Sequence, residues 1–153
     1  MARGLYFEDL ELGWTVQTKG RTITEADVVN FAGISGDFNP LHVDATFAAG
    51  TEFGQRIAHG ALVLSIATGL TYQAGFMEDT VMAFLSLEWK YSAPTFLGDT
   101  IHCEVEIIDL KLMRRLGGGK VVLSVKVVNQ EGKVVQKGEW TVLVRSREAE
   151  QGA

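Results

Sequence analysis

Between Gly60 and Gly75 the sequence is apolar on nearly every side of a helix. Ala61, Leu62, Val63, Leu64, Ile66, Ala67 and Leu70 cover most of the circumference, and Ser65 and Thr68 are the polar breaks. A helix of that kind is a buried helix, so the rest of the chain must wrap it. The run is too short and too interrupted to span a bilayer.

The second half supplies the wrapper. Val81, Ala83, Leu85, Leu87, Trp89 and Tyr91 alternate with Met82, Phe84, Ser86, Glu88 and Lys90. Ile101, Cys103, Val105 and Ile107 alternate with His102, Glu104, Glu106 and Ile108. Val121, Leu123, Val125 and Val127 make a third run, and Trp140, Val142 and Val144 a fourth. Period-two alternation predicts strands with one buried face. Turn signals separate them: Ala93-Pro94 through Gly98-Asp99, Gly117 to Gly119, and Asn129 to Gly132.

Upstream, Trp14, Val16 and Thr18 alternate between Gly13 and Gly20, which predicts a first strand within residues 5–23. Thr24 and Asp27 read as a capping box opening a helix through Val28, Val29 and Phe31, which Gly33 and Gly36 end. Asp44 reads as the cap of a short helix, Ala45 to Ala49, closed by Gly50. Residues 51–58 read as loop, and the tail after Arg145 as a frayed polar end. The order is strand, helices, then an antiparallel meander. That is an α+β pattern, a sheet curled round one central helix in a single domain over residues 1–153.

Composition narrows the partners. A net charge of −5 argues against a nucleic-acid binder, whose footprint is basic. One cysteine, Cys103, forbids an internal disulfide and points to a reducing compartment. The first residues, Met1 to Asp9, lack the apolar core of a signal peptide. The expectation is a cytoplasmic protein.

Chemistry concentrates in Ser35-Gly-Asp-Phe-Asn-Pro-Leu-His42. Asp37 offers a carboxylate, His42 an imidazole and Asn39 an amide, while Pro40 stiffens the connector between them. His59 and Gly60 then open the apolar helix. A helix N-terminus presents unpaired N–H groups that favour a developing negative charge. An acid, a base and an anion-binding amide are the parts for proton transfer beside a polarised carbonyl. Taken singly, Asp37 would cap a turn and His42 would be a structural histidine. Their joint placement before a glycine-opened buried helix favours a site. His59 suits a loop-fixing bond more than direct catalysis.

Other candidates are weaker. Asp37, His42, Asp44 and His59 contain no tight metal-ligand spacing. Ser35 lacks the Gly-x-Ser-x-Gly elbow of a serine hydrolase. Gly117-Gly-Gly-Lys120 has the wrong spacing for a phosphate-binding P-loop and reads as a hairpin turn. Lys111, Arg114, Arg115 and Lys120 around it form a solvated face or meet a phosphate group. Cys103 falls on the inward register of its strand and reads as packed.

Ser35-Gly-Asp-Phe-Asn-Pro-Leu-His-Val-Asp44, with Phe47-Ala-Ala49 and Ile57-Ala-His-Gly60, resembles the signature of the MaoC-like dehydratases, which include the (R)-specific enoyl-CoA hydratases. The resemblance implies a hot-dog fold: an antiparallel sheet of about five strands around a long central helix, with an overhanging helical segment bearing the active-site loop. It implies that two subunits pair their sheets edge to edge as a homodimer. It implies reversible hydration of a trans-2-enoyl-CoA to the (R)-3-hydroxyacyl-CoA. Asp37 and His42 match the catalytic pair that holds one water, and Gly60 matches the glycine whose N–H receives the thioester oxygen. Asn39, His59 and Thr68 match binding and supporting positions, with Thr68 standing where a serine is frequent. Neither a metal nor a redox cofactor is implied. The acyl-CoA would lie along a groove between subunits, its phosphates near the basic residues around Gly117. Two other readings stay open: a hot-dog acyl-CoA thioesterase, although the central helix carries no carboxylate of its own, and a non-catalytic acyl-CoA-binding subunit of a larger hydratase.

Overall fold

The computed structural model of the protein describes residues 3–150. A 3-10 turn over Phe7–Asp9 leads into two short strands, β1 (Thr15–Gln17) and β2 (Arg21–Thr22). Three helices follow: α1 (Glu25–Ser35), α2 (Pro40–Val43) and α3 (Ala45–Ala49). The central helix is α4 (Gly60–Gln73). Four long strands complete the sheet: β3 (Val81–Tyr91), β4 (Thr100–Met113), β5 (Gly118–Val128) and β6 (Val134–Arg145). A short helix, α5 (Arg147–Glu150), ends the described chain.

The strands lie in the order β1-β4-β5-β6-β3, with β2 also on β4, and every pairing is antiparallel. The registers Val16 to Val105, Val105 to Val125 and Leu123 to Trp140 put one apolar row across the inner face. Leu62, Val63, Ala67 and Leu70 of α4 are buried in one core with Ile101, Cys103, Val105 and Ile107 of β4 and with the inner rows of β5 and β6. The alternation read for β4, β5 and β6 is therefore realised as burial.

Two expectations differ. On β3 neither face is buried, and Val81, Met82, Phe84, Leu85, Leu87 and Tyr91 are exposed. β3 is the last strand of the sheet, and register shifts at Val81/Ala83 and Phe84/Ser86 break its alternation. On α4, Ala61, Ser65, Thr68 and Tyr72 form an exposed stripe on the side that this chain's own sheet leaves uncovered.

The local signals upstream hold. Thr24 Oγ1 accepts from the Asp27 N–H at 3.2 Å, and Asp27 Oδ2 accepts from the Thr24 N–H at 2.9 Å. Gly36 ends α1 at φ 76°, a left-handed conformation that glycine adopts without strain. Asp44 Oδ1 accepts from the Phe47 N–H at 2.9 Å and so caps α3. The expected stiff connector contains a helical turn, α2, because Pro40 sits at its first position and Asn39 caps it. Of the tail expected to fray after Arg145, residues 147–150 are helical, tied by Arg147 to Asp9 at 2.7 Å. Residues 151–153 of that tail lie outside the described residues.

Candidate active site

Asp37 stands just past the C-cap of α1. Its N–H donates to Ser35 Oγ at 3.1 Å, and its Oδ1 accepts from the Asn39 N–H at 3.2 Å. Asn39 Oδ1 in turn accepts from the Leu41 N–H at 3.0 Å. Three short-range bonds thus hold the loop, and the second carboxylate oxygen of Asp37 stays clear of them. That oxygen, Oδ2, lies 3.9 Å from His42 Nε2.

His42 is buried on α2, and its Nδ1 lies 2.7 Å from the Ile57 carbonyl. A carbonyl only accepts, so Nδ1 carries the proton of that bond. Nε2 is left as the exchanging nitrogen, facing Asp37. His59 is buried deeper, and its Nε2 bonds the backbone carbonyl of Asp37 at 2.9 Å. The two imidazoles stack with centroids 3.8 Å apart and planes at 28°, and Phe31 meets His59 edge-on at 4.9 Å. His59 is therefore a brace that fixes both the Asp37 backbone and the His42 ring.

His59 is also the N-cap of α4, yet its side chain makes no capping bond. The first backbone bond of that helix runs from the Val63 N–H to the His59 carbonyl, so the amides of Gly60, Ala61 and Leu62 have no helical acceptor. A groove of about 560 Å³ runs past this end, lined by Phe53, Ile57, Gly60, Ala61, Tyr91 and Gln136 among others. A Cβ on residue 60 would stand 2.7 Å from the Tyr91 ring, so glycine is what lets that ring lie against the helix end.

One ligand atom each from Asp37, His42 and His59 lies within 4.8 Å of the others. Stacked imidazoles direct their in-plane lone pairs side by side instead of converging them, and His59 Nε2 is already bonded to a carbonyl. The set therefore suits proton exchange better than a tetrahedral ion.

The sequence-predicted residues divide cleanly. Asp37, His42 and His59 gather at one place, with Asn39 supporting the loop, while Gly60 follows His59 in the chain and lines the groove, whose lining includes none of those three. Thr68 lies about 12 Å further along α4 from Gly60, at 1.5 Å per residue. Its hydroxyl donates to the Ser65 carbonyl at 2.7 Å. Lys111, Arg114, Arg115 and Lys120 sit at the opposite end of the sheet, where Gly118 pairs with Arg145, whereas Gly60 sits at the end where Tyr91 pairs with Gln136. Sequence reasoning passed over Gln136, a buried amide that bonds the Gly60 carbonyl at 3.0 Å. The available signal was a lone glutamine two and four residues before Gly138 and Trp140, on the inward register of an apolar strand.

Likeness to known proteins makes this sheet curled round one helix a hot-dog fold of the hydratase/dehydratase class. The MaoC-like domain pattern matches residues 9–131, and the chain belongs to that family. It is 36% identical over 146 residues to the 3-hydroxybutyryl-CoA dehydratase of Methylorubrum extorquens, covering 95% of this chain and 88% of that one. It is 34% identical over 135 residues to the (R)-specific enoyl-CoA hydratase of Aeromonas caviae, covering 88% and 96%. A Mycobacterium tuberculosis protein with a double hot-dog fold superposes at a TM-score of 0.81 and 22% identity, over 94% of this chain and 44% of that one. Among the described residues no helix is long and apolar enough to cross a membrane.

Proposed function

We propose that the protein reversibly hydrates a trans-2-enoyl-CoA to the (R)-3-hydroxyacyl-CoA. The observation that carries this reading is the 3.9 Å gap between Asp37 Oδ2 and His42 Nε2 beside the open amide end of α4. Polar groups that far apart are well placed to share one water. In the proposed step the water oxygen bonds the β-carbon, its proton passes to the Asp37/His42 pair, and the pair returns a proton at the α-carbon. The elements of water are added, and nothing is oxidised or reduced. Charge gathers on the thioester oxygen as an enolate. A Gly60 amide aimed at it is worth roughly 3 kcal/mol. The acid–base pair contributes on the order of a hundred- to ten-thousand-fold.

The assembly belongs to the same proposal. β3 offers one unpaired edge with five exposed apolar side chains between Val81 and Leu87. Pairing of a second copy antiparallel along that edge makes a homodimer and brings the partner's far sheet end toward the groove beside Tyr91. The basic hairpin around Arg114 and Arg115 lies at that far end. Within one chain it is about 36 Å from the Gly60 end, an eleven-residue strand away. Phosphates of a bound CoA would therefore meet the partner's hairpin. A reducing cytoplasm is the fitting compartment, since Cys103 is a free, buried thiol.

The test is the loss of enoyl absorbance when the protein is added to crotonyl-CoA, extended to a panel of longer and branched enoyl-CoAs. Asp37→Asn and His42→Gln are each expected to lower the rate by at least about 100-fold while the fold is kept. Parental rates in both variants would reject the assignment.

A further inference from the structure

The open end of α4 is anchored to the sheet by one buried side chain. Gln136 of β6 is 2% exposed. Its Nε2 donates to the Gly60 carbonyl at 3.0 Å, and its Oε1 accepts from Trp89 Nε1 at 2.8 Å. The direction of this chain of bonds is unambiguous. An indole N–H only donates and a carbonyl only accepts, so the amide has one consistent orientation.

The neighbouring residues make room for this contact. Gly138 pairs with Trp89, and a Cβ there would stand 2.8 Å from the indole ring. Tyr91, two residues further along β3, lies against Gly60 itself. The first turn of α4 is therefore held at its carbonyl by Gln136 and on its flank by Tyr91. Both supports lead to β3, the strand with an unpaired edge.

From this we infer that Gln136 is a positioning residue for the anion-binding amide of Gly60, and that Trp89 on the edge strand holds Gln136 in place. The inference rests on the hydratase reading above. A fixed first turn keeps the Gly60 N–H aimed at the position the thioester oxygen occupies as charge develops, and a misplacement near 1 Å can cost on the order of 100-fold. The Gly60 carbonyl is bonded twice, by Gln136 and, in helical register, by the Leu64 N–H. Bonds that feed a peptide group in series also polarise it, which makes the adjoining Ala61 N–H a stronger donor into the same groove. The enolate carries more charge than the bound substrate, so the loss belongs in kcat and not in KM.

The experiment compares Gln136→Met, Gln136→Glu and Trp89→Phe with the parent. It reads kcat and KM for crotonyl-CoA, the indole N–H resonance of Trp89 and the amide exchange of Leu64. For Gln136→Met we expect kcat to fall roughly 10- to 100-fold with KM within about threefold. The Trp89 resonance should shift and Leu64 should exchange about tenfold faster, since the shared carbonyl loses its anchor. Trp89→Phe should lower kcat by a smaller factor, because the bond to Gly60 survives without its own support. A folded Gln136→Met with the Trp89 bond gone and kcat within about twofold of the parent overturns the inference; that margin is well inside the loss a misaimed donor causes. If Gln136→Met does not fold, Gln136→Glu, which keeps the acceptor for Trp89 and removes the donor to Gly60, decides in the same way. If the parent hydrates no enoyl thioester, the hydratase reading fails separately. Leu64 exchange then decides the anchoring, and an unchanged rate in Gln136→Met overturns it.

Discussion

His59 does more for the site than its place at a helix start suggests. It bonds the Asp37 carbonyl, stacks on His42 and closes against Phe31, so one ring fixes both members of the proposed acid–base pair. Its Nδ1 is buried without a partner among the described residues, which fits a residue placed for geometry and not for its own solvation. His59→Phe keeps the stack and removes the bond. Hydration by that variant should fall about tenfold, well short of the Asp37→Asn loss, and its stability should drop by about 1 kcal/mol in a denaturant titration. Cys103 carries a pH signature of its own. Burial pushes its thiol up to about 12. The unfolded chain ionises near the ordinary thiol value and the folded one does not, so the stability it contributes is complete below that value. It is lost as pH rises toward 12, at about 1.4 kcal/mol per unit. Cys103→Ala should remove this slope from the alkaline limb of a stability-versus-pH series while leaving the neutral region flat.

At the scale of elements, α1 tests how well local signals act. Its box of Thr24 and Asp27 is reinforced by Arg21, whose Nη2 lies 2.7 Å from Asp27 Oδ1. Burial raises the Asp27 carboxyl, but the Thr24 N–H and hydroxyl and the Arg21 charge outweigh it and hold the group below its ordinary value. That stability is present above about pH 4 and is lost as acid protonates the group. Thr24→Ala should cost about 1 kcal/mol at neutral pH. Asp27→Asn should flatten part of the acid limb, both read by chemical denaturation. Signals of this kind were legible because they are local: a cap and its partner stand three residues apart, and strands flanked on both sides show period two. β3 was only half legible, because alternation reports burial and an edge strand has little of it within one chain. α2 was missed because one turn holds no period to read. Gln136 was missed because its partners, Trp89 and Gly60, lie 47 and 76 residues away.

The whole molecule poses the same question at its open edge. β3 carries Tyr91, which flanks the Gly60 turn, and Trp89, which bonds Gln136, and it also carries exposed apolar side chains. In a two-fold antiparallel pair residue i of one edge meets residue j of the other and j meets i, so charges placed near the middle of β3 stand on both sides of the seam and repel. Leu85→Lys with Leu87→Lys should therefore split the assembly: the parent should sediment at twice the 16.7 kDa chain mass, and the double variant at the chain mass itself. Freed of its neighbour, β3 should hold Trp89 and Tyr91 less firmly. The monomer should then lose kcat in addition to the affinity expected from the proposed contact with the partner's hairpin. A monomeric variant that turns over at the parental kcat would show that the active-site turn needs no second copy. A parent that already sediments at the chain mass would remove the dimer from the mechanism altogether.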